Sequence, residues 1–467
     1  MSFNSSQFAL FLPIVLLLFS AVYKQEKLRD GLLLIASYIF YMAWYWQYAG
    51  LIAMSTIVDY YVAQKMGREN RERVRKLLMI SSLVVNLGLL GLFKYFNFFV
   101  DTTTAALSHF GLNVQAAHLN VLLPVGISFY TFQTLSYTID VYRRRLEPEK
   151  NLVKFAVFVS FFPQLVAGPI VRASDFLPQL HRDPVVTRQQ FNNGLKLVFW
   201  GLFKKIVIAD MLAHLAVDTI FSNPTAYSSW DLMMGLYAYT FQIYCDFSGY
   251  SDIAIGTAAM FGYILPQNFN RPYLSQNVRE FWTRWHITLS TWLRDYLYIS
   301  LGGNRGSKLR VAFNLMVTML LGGLWHGAAL NFVIWGGYHG ILLILARKSE
   351  KFTLNRPIYE KIYKQIMTFH FIVFSWLLFR VSDMHNFTDY LSGLSHLGFG
   401  TQLSPLFYLI LGAAIVMHII PRRLLEERIF NIFIRQPAFV QAGVYAGMLL
   451  LFLGVTLDAP SFIYFQF

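Results

Sequence analysis

The chain has 467 residues, of which 56% are hydrophobic and 14% are charged, and its formal net charge is +14 at pH 7. An ordinary soluble domain carries roughly 45–50% apolar and about 25% charged residues. The composition therefore excludes a soluble cytosolic enzyme, a disordered chain and a secreted disulfide scaffold, and it indicates a polytopic, all-α membrane protein.

The basic residues occur in separate blocks, divided by stretches that contain no Lys or Arg. Those stretches are 1–23, 30–64, 101–142, 206–270, 381–421 and 436–467. Because basic residues concentrate in cytoplasmic loops, the blocks predict cytoplasmic segments, and the stretches between them predict spans and outer loops. This pattern accounts for the positive charge, so we expect no nucleic-acid partner.

The first apolar run, 8–23, has no Lys or Arg before it, and we interpret it as a span rather than a cleavable signal. Pairs of spans with an outer turn are predicted in 30–64 around Gln47, in 77–142 around 101–120, in 206–270 around 222–230 and in 365–421 around 382–401. Each pair leaves the cytoplasm and returns to it, which places both chain ends outside. We expect one membrane domain over residues 1–467.

Two segments do not fit simple spans. Residues 152–171 lie between basic blocks and are too short for two spans of about 20 residues each, so they predict a re-entrant element. Residues 311–346 are barely long enough for two spans, and we expect interruptions there. Broken helices at membrane depth are tolerated where they line a cavity or are buried in protein, so both segments are candidate sites. The expected breaks are at Pro163, Gly168 and Pro169, and at the pairs Gly322-Gly323 and Gly336-Gly337.

The segment 277–310 places five large apolar residues at helical spacing, which predicts one amphipathic helix at the cytoplasmic interface followed by a Gly-rich turn. The five residues are Phe281, Trp285, Leu289, Trp292 and Tyr296. His286 lies at the edge of this stripe. It is either a hydrogen-bonded histidine in an interfacial anchor or a functional residue.

His326 lies in an apolar run, because no Lys, Arg, Asp or Glu occurs from Val311 to Ala346. An ionisable group at membrane depth is costly and usually has a function, and burial keeps a histidine neutral, as a general base requires. The alternative is a histidine hydrogen-bonded inside the helix bundle. His339 follows thirteen residues later, a spacing that does not share a helical face, so we expect no histidine metal site.

Asp246 and Asp252 lie in the apolar stretch 243–256. They either orient a histidine or hold a proton, or they accept hydrogen bonds from Tyr and Ser side chains. We interpret Cys245 as a buried small apolar residue rather than an acyl-carrying nucleophile.

Five sequence blocks together resemble the membrane-bound O-acyltransferases, and especially the membrane subunit of bacterial alginate O-acetyltransferases. The blocks read WTRWHITLSTWLRDYLYISLGGNRG, TMLLGGLWHGAALNFVIWGGYHG, QIYCDFSGYSDIAIG, LPVGISFYTFQTLSYTIDVYR and FFPQLVAGPIVR. The resemblance extends from the N-terminus to about residue 345. It implies a ring of about ten to twelve transmembrane helices, with re-entrant or broken helices around a central tunnel.

The resemblance also implies the site residues. The main catalytic histidine of the family falls on His326 within Trp325-His326-Gly327, and its second histidine falls on His286. No cofactor is expected, and acetyl-CoA is the expected acyl donor. The further candidate donor and tunnel residues are Trp325, Asn304, Arg279, Arg294, Arg305 and Asp246, with the backbone of Gly302-Gly303 as possible oxyanion donors.

The implied activity is O-acetylation of an extracytoplasmic polysaccharide, of alginate type, from the bacterial inner membrane. A periplasmic serine-esterase-type partner is expected to reach the polymer, because the predicted outer loops are short. Acetylation of peptidoglycan or cellulose and D-alanylation of teichoic acid are the alternatives within the family. A transporter or flippase is the alternative of another class, although transporters often show internal repeats and none is evident here. A structural scaffold would not need His326.

Overall fold

The computed structural model describes residues 1–112, 114–166, 168–349, 357–421, 424, 428 and 430–455. These residues are helical with no strand among them, which confirms the all-α class. Within the same residues, four helical segments are long and apolar enough to cross a membrane: Glu72–His109, Lys308–His326, Leu330–Arg347 and Ile358–Arg380. Three shorter apolar helices accompany them: Ser6–Val22, Pro405–Ile419 and Phe439–Leu450. The polytopic membrane fold is thus confirmed, whereas the number of spans, the ring and the tunnel stay predictions.

The helices of the first part of the chain are α1 (Ser6–Val22), α2 (Glu26–Met42), α3 (Ala49–Arg68), α4 (Glu72–Leu90), α5 (Phe96–His109), α6 (Ile127–Tyr142), α7 (Leu152–Ser160), α8 (Phe162–Leu165), α9 (Ala173–Leu180) and α10 (Arg188–Leu202). The turn predicted near Gln47 between α2 and α3 is present, and it has the form of a 3-10 helix at Trp46–Tyr48. A π-helical segment, Gly91–Tyr95, joins α4 to α5, so this helix continues to His109. The outer connection therefore begins later than the predicted 101–120.

The later helices are α11 (Asp218–Ser222), α12 (Ser229–Met260), α13 (Val278–Trp282), α14 (Ile287–Trp292), α15 (Lys308–His326), α16 (Leu330–Ser349), α17 (Pro357–Arg380), α18 (Met384–Ser395), α19 (Pro405–Ile419), α20 (Phe430–Ile434) and α21 (Ala438–Val455). Side-chain caps begin several of them. Ser307 accepts a hydrogen bond from the backbone N–H of Arg310 at the start of α15, and Ser404 does the same for Phe407 at the start of α19.

The chain divides into two compact units, which are described separately. The first contains Met1–Lys196, Ala254–Pro266 and Thr291–Leu297, and the second contains Leu197–Ile253, Gln267–Ser290 and Tyr298–Phe467. The interpretation of residues 1–467 as one membrane domain stays a prediction.

Buried ion pairs stabilise the first unit. The Arg29 guanidinium lies 3.0 Å from a carboxylate oxygen of Asp30, and the Lys154 ammonium lies 2.6 Å from Glu26. Arg29, Asp30 and Lys154 are each buried. Lys154 of α7 also lies 3.6 Å from Asp30, so its contacts with Glu26 and Asp30 join α7 to α2, and an uncompensated buried charge there would be strongly unfavourable.

The segment 152–171 is broken at Phe161 and again after α8 ends at Leu165, so Gly168 and Pro169 lie outside helices as predicted. Pro163 belongs to the first turn of α8, where its missing N–H removes no hydrogen bond, so it starts a helix instead of ending one. Whether this element re-enters the membrane stays a prediction.

The expectation that glycine pairs interrupt 311–346 is wrong. The segment forms a helical hairpin of α15, with 19 residues, and α16, with 20 residues, and the chain turns between His326 and Leu330. A Cβ at Gly323 would lie 2.2 Å from the carbonyl oxygen of Phe332, and one at Gly336 would lie 2.3 Å from that of Met319. The glycines therefore allow the two backbones to approach closely, as small residues do between membrane helices.

We predict that Gly336→Ala destabilises the protein by about 1–3 kcal/mol, because the added methyl group meets a backbone carbonyl that cannot move away. The adjacent Gly337→Ala is the matched control, since its Cβ would lie 3.6 Å from the Leu320 side chain in ordinary contact. Thermal unfolding of the detergent-solubilised variants measures the difference. Equal midpoints for the two variants would contradict the close approach.

Candidate functional site

His326 is the last residue of α15 and is 3% exposed. Its imidazole packs edge-on against two aromatic rings, with centroid distances of 5.1 Å to Trp335 and 5.4 Å to Phe379. Trp335 lies on α16 and Phe379 on α17, so three helices of the second unit enclose the histidine. Such apolar surroundings exclude water from the imidazole.

The residue after His326 has to be glycine. Gly327 has an extended backbone at the end of α15, and a Cβ there would lie 2.0 Å from a ring carbon of Phe332. Phe332 in turn packs against Phe379, with a centroid distance of 4.9 Å. The Trp-His-Gly sequence thus ends the helix against a phenylalanine ring and fixes where the imidazole lies.

The single amphipathic helix predicted over 277–310 is wrong. The chain forms α13, breaks over Thr283–His286, and then forms α14, which continues as the π-helical segment Leu293–Tyr298. The break is marked by a left-handed backbone at His286, with φ of +41°, which is uncommon for a residue with a side chain. Phe281, Trp285 and Leu289 are buried in protein, so the alternative of an interfacial anchor is not supported.

His286 is fully buried and faces Asn268. Its Nδ1 lies 3.2 Å from the Asn268 Oδ1, and its ring packs edge-on against Phe247 at a centroid distance of 4.7 Å. Residues 271–310 belong to a basic block outside the candidate spans, and burial there lowers the pKa of His286 below its usual value. The imidazole is therefore neutral at physiological pH.

Trp325 connects the two predicted catalytic histidines. Its ring centroid lies 5.8 Å from that of His286 and 5.1 Å from that of His326. The two motifs are separated by forty residues of sequence, yet one indole of the second unit contacts both imidazoles. The structure thus brings together His286, Trp325 and His326, which the resemblance names as site residues, and their catalytic roles stay a prediction.

His339 also joins this aromatic cluster. Although it shares no helical face with His326, the hairpin places it on the facing helix, where Trp335 contacts both rings, at 5.1 Å from His326 and 4.6 Å from His339. The thirteen-residue spacing excludes a shared face only on one continuous helix. In the hairpin, His326 and His339 lie on different helices and contact the same indole. Among the described residues, no group of three or more His, Cys, Asp or Glu is arranged to hold a metal ion.

Asp246 and Asp252 have partners that the sequence analysis did not consider. Asp246 lies 2.5 Å from the Lys205 ammonium, which also lies 2.7 Å from Asp210. Asp252 lies 2.6 Å from the Lys204 ammonium. The two aspartates therefore balance consecutive lysines, in a π-helical segment, Phe203–Asp210, that follows α10. The sequence analysis predicts that the basic block ending at Lys205 is a cytoplasmic segment. It therefore does not predict that Lys204 and Lys205 pair with Asp252 and Asp246.

The Gly-rich turn does not supply the expected oxyanion donors. The backbone N–H of Gly302 donates to Ile299 and that of Gly303 donates to Tyr298, so both groups are used within the turn. The Asn304 Oδ1 accepts hydrogen bonds from the hydroxyl of Tyr298 and from Arg347, each at 2.8 Å. Asn304 thus braces the turn to α16.

The three predicted donor-binding arginines are exposed, but they do not share one unit. Arg294 belongs to the first unit, where it donates to Asp295 at 2.6 Å. Burial alone would raise the pKa of Asp295, but hydrogen bonds from Arg294 and Arg172 bring it below its usual value. Arg279 and Arg305 belong to the second unit.

A pocket that the sequence analysis did not anticipate lies in the second unit. Its lining includes Lys204, Cys245, Asp252, Phe269, Arg271 and His418. Phe269 also packs against the His286 ring, with a centroid distance of 6.5 Å, so one phenylalanine separates this pocket from the histidine. A signal for this pocket was present in the sequence. Arg271 lies beside two asparagines in residues 268–271, just before the helix predicted over 277–310.

The chain matches the family model described as MBOAT, membrane-bound O-acyltransferase family, over residues 48–382. It is 45% identical over 389 residues to the probable alginate O-acetylase AlgI of Pseudomonas aeruginosa, an alignment that covers 82% of this chain and 73% of that protein.

Two further relatives carry other names. The chain is 38% identical over 429 residues to a peptidoglycan O-acetyltransferase of Helicobacter pylori, with 84% of this chain and 79% of that protein covered. It is 28% identical over 287 residues to a teichoic acid D-alanyltransferase of Bacillus subtilis, with 57% and 71% covered.

We predict that Lys205→Met destabilises the protein by about 3–5 kcal/mol, because it leaves the buried carboxylates of Asp210 and Asp246 without their cation. Lys361→Met, at an exposed position of α17, is the control. The double variant Lys205→Met with Asp246→Asn should recover part of the lost stability, as measured by the free energy of unfolding in detergent. No recovery would contradict the pairing.

Proposed function

The chain belongs to the membrane-bound O-acyltransferase family, and from this membership we propose that it moves an acetyl group from cytosolic acetyl-CoA to an extracytoplasmic polysaccharide. It is a membrane acyltransferase; the donor, the acceptor and the roles of individual residues are the proposal. The observation that carries the proposal is the enclosure of His326 by aromatic rings, with Trp325 connecting it to His286.

His326 acts as the general base. Attack on a thioester needs a group that takes the proton of the incoming hydroxyl, and a neutral imidazole does this near pH 7. The rings of Trp325, Trp335 and Phe379 around His326 keep water away, which protects the thioester from hydrolysis. His286 contacts a reactant through the imidazole nitrogen that does not face Asn268.

The acyl donor is an anionic thioester that approaches from the cytosolic side. The segment that carries His286 lies in the basic block 271–310, and a positively charged surface attracts an anion such as acetyl-CoA. The pocket beside Phe269 contributes Lys204 and Arg271 to this surface. Asn304 and Asp246 are left out of the donor proposal, because Asn304 accepts hydrogen bonds from Tyr298 and Arg347 and Asp246 pairs with Lys205.

The acceptor is a polysaccharide outside the inner membrane. The name of the Pseudomonas relative at 45% identity favours an alginate-type polymer, and the Helicobacter relative makes peptidoglycan the second candidate. A D-alanyl group on teichoic acid is favoured less, because that relative is 28% identical over a shorter alignment. Membership of an acyltransferase family counts against the transporter alternative.

A periplasmic partner of the serine-esterase type completes the reaction. The connections predicted to face outward, such as 223–228 between α11 and α12, are short and offer little surface to bind a polymer. A second enzyme that receives the acetyl group would provide the polymer-binding surface that these short connections do not. The distribution of basic blocks supports an inner-membrane location with these connections outside.

We predict that His326→Ala lowers polymer-bound acetate by about 100-fold or more, the usual contribution of a positioned base. Acetate released from the isolated polymer is the measurement, in cells that make the variant and the polymer at normal levels. His385→Ala on α18, at an exposed position, is the matched histidine control. Unchanged acetylation in His326→Ala would remove the proposed role of this residue.

Labelled acetyl-CoA tests the sidedness of the reaction. In membrane vesicles of known orientation, label supplied on the face that carries the basic block should appear on an acceptor at the opposite face. The His326→Ala protein in matched vesicles sets the background. Transfer that begins from the outer face would contradict the proposed orientation while leaving the acyltransferase assignment intact.

A further inference from the structure

Asn268 holds the segment that carries His286 by its backbone as well as by its side chain. The backbone N–H of Asn270 donates to the carbonyl of Arg284, and that of Ile287 donates to the carbonyl of Asn268, both at 2.9 Å. These two hydrogen bonds bracket His286, whose left-handed backbone would otherwise be unfavourable. Residues 268–270 therefore fix the break between α13 and α14.

The hydrogen bonds around the Asn268 side chain define which of its atoms faces the histidine. The backbone N–H of Thr288 points at Asn268 Oδ1 from 3.2 Å, and the Thr288 hydroxyl lies 3.0 Å from the same atom. A backbone N–H only donates, so the atom that it meets is the amide oxygen and not the nitrogen. The amide nitrogen faces the Ser251 hydroxyl at 3.4 Å.

This orientation determines the protonation of the imidazole. The His286 Nδ1 lies 3.2 Å from the same amide oxygen, which has no proton to give, so Nδ1 carries the hydrogen. A neutral imidazole has one N–H, and its other nitrogen, Nε2, then bears a lone pair. Because Asn268 is 1% exposed and His286 is fully buried, water does not compete for this hydrogen bond.

We propose that Asn268 is a positioning residue of the acyl-transfer reaction, which holds His286 in the Nδ1–H tautomer so that Nε2 accepts a hydrogen bond from the reactant. The inference rests on the proposed function, in which His286 contacts a reactant. The same tautomer is available to take up a proton from a bound hydroxyl.

Three variants test the proposal with the full-length protein in vesicles and acetyl-CoA as donor. Asn268→Leu removes the acceptor and should lower kcat about 10-fold or more with little change in KM. Thr288→Val removes a second donor to the same oxygen but leaves the histidine its partner, and it should retain most of the activity. If Asn268→Leu kept the kcat of the unmodified protein, the proposal would be wrong.

Asn268→Asp separates positioning from a structural role. The aspartate keeps an acceptor oxygen toward Nδ1, so activity should be restored relative to Asn268→Leu. Its negative charge favours the imidazolium, which should move the acid limb of the pH–rate profile to higher pH. Activity as low as in Asn268→Leu, or an unshifted profile, would overturn the proposal, even if Asn268→Leu fails to fold.

His286→Ala distinguishes a failure of this inference from a failure of the proposed function. If His286→Ala transfers acetyl groups at the normal rate, the role of His286 in the proposed function is wrong. If His286→Ala is defective while Asn268→Leu is normal, only the role of Asn268 is wrong. Thermal unfolding of each variant, read beside the rates, shows whether a loss of activity follows a loss of fold.

Discussion

The close approach of the α15 and α16 backbones determines the geometry of the candidate site. Gly323 and Gly336 lie where the two helices touch, and each would place a Cβ within 2.3 Å of a carbonyl oxygen of the other helix. Two helices whose backbones touch in this way cannot slide along each other without a clash, so their relative register is fixed. This packing fixes Trp335 beside His326 near the turn of the hairpin. The position of the histidine therefore depends on how the α15 and α16 backbones pack.

Aromatic rings pack against His286 and His326, and this has a chemical consequence. A thioester reacts with water as well as with an alcohol, so an acyltransferase has to exclude water while it admits the acceptor. Trp325, Trp335 and Phe379 provide rigid apolar walls around His326. In the proposed reaction these walls would keep the thioester dry while His326 takes the proton of the acceptor hydroxyl.

The sequence predicted the membrane class, because charge segregation and long apolar runs are local signals, whereas His286 and His326 were named together only through the family resemblance. It failed where the outcome depended on tertiary packing. Gly336 was expected to interrupt a helix, yet a glycine that faces a neighbouring backbone and one that ends a helix look the same in one sequence. Asn268 carried no signal, because its contact with His286 depends on a backbone turn with positive φ.

Two buried groups of the second unit, Lys205 and His286, have different kinds of partner. Lys205 contacts charged carboxylates, whereas His286 contacts a neutral amide and an aromatic ring, and this difference bears on function. Lys205 lies between Asp210 and Asp246, and the close opposite charges offset the cost of burying these groups. His286 instead faces a neutral amide oxygen and an aromatic ring, which bias its tautomer without adding charge. The lysine–aspartate pairs therefore suit the support of the fold, and the neutral surroundings suit the histidines for proton transfer.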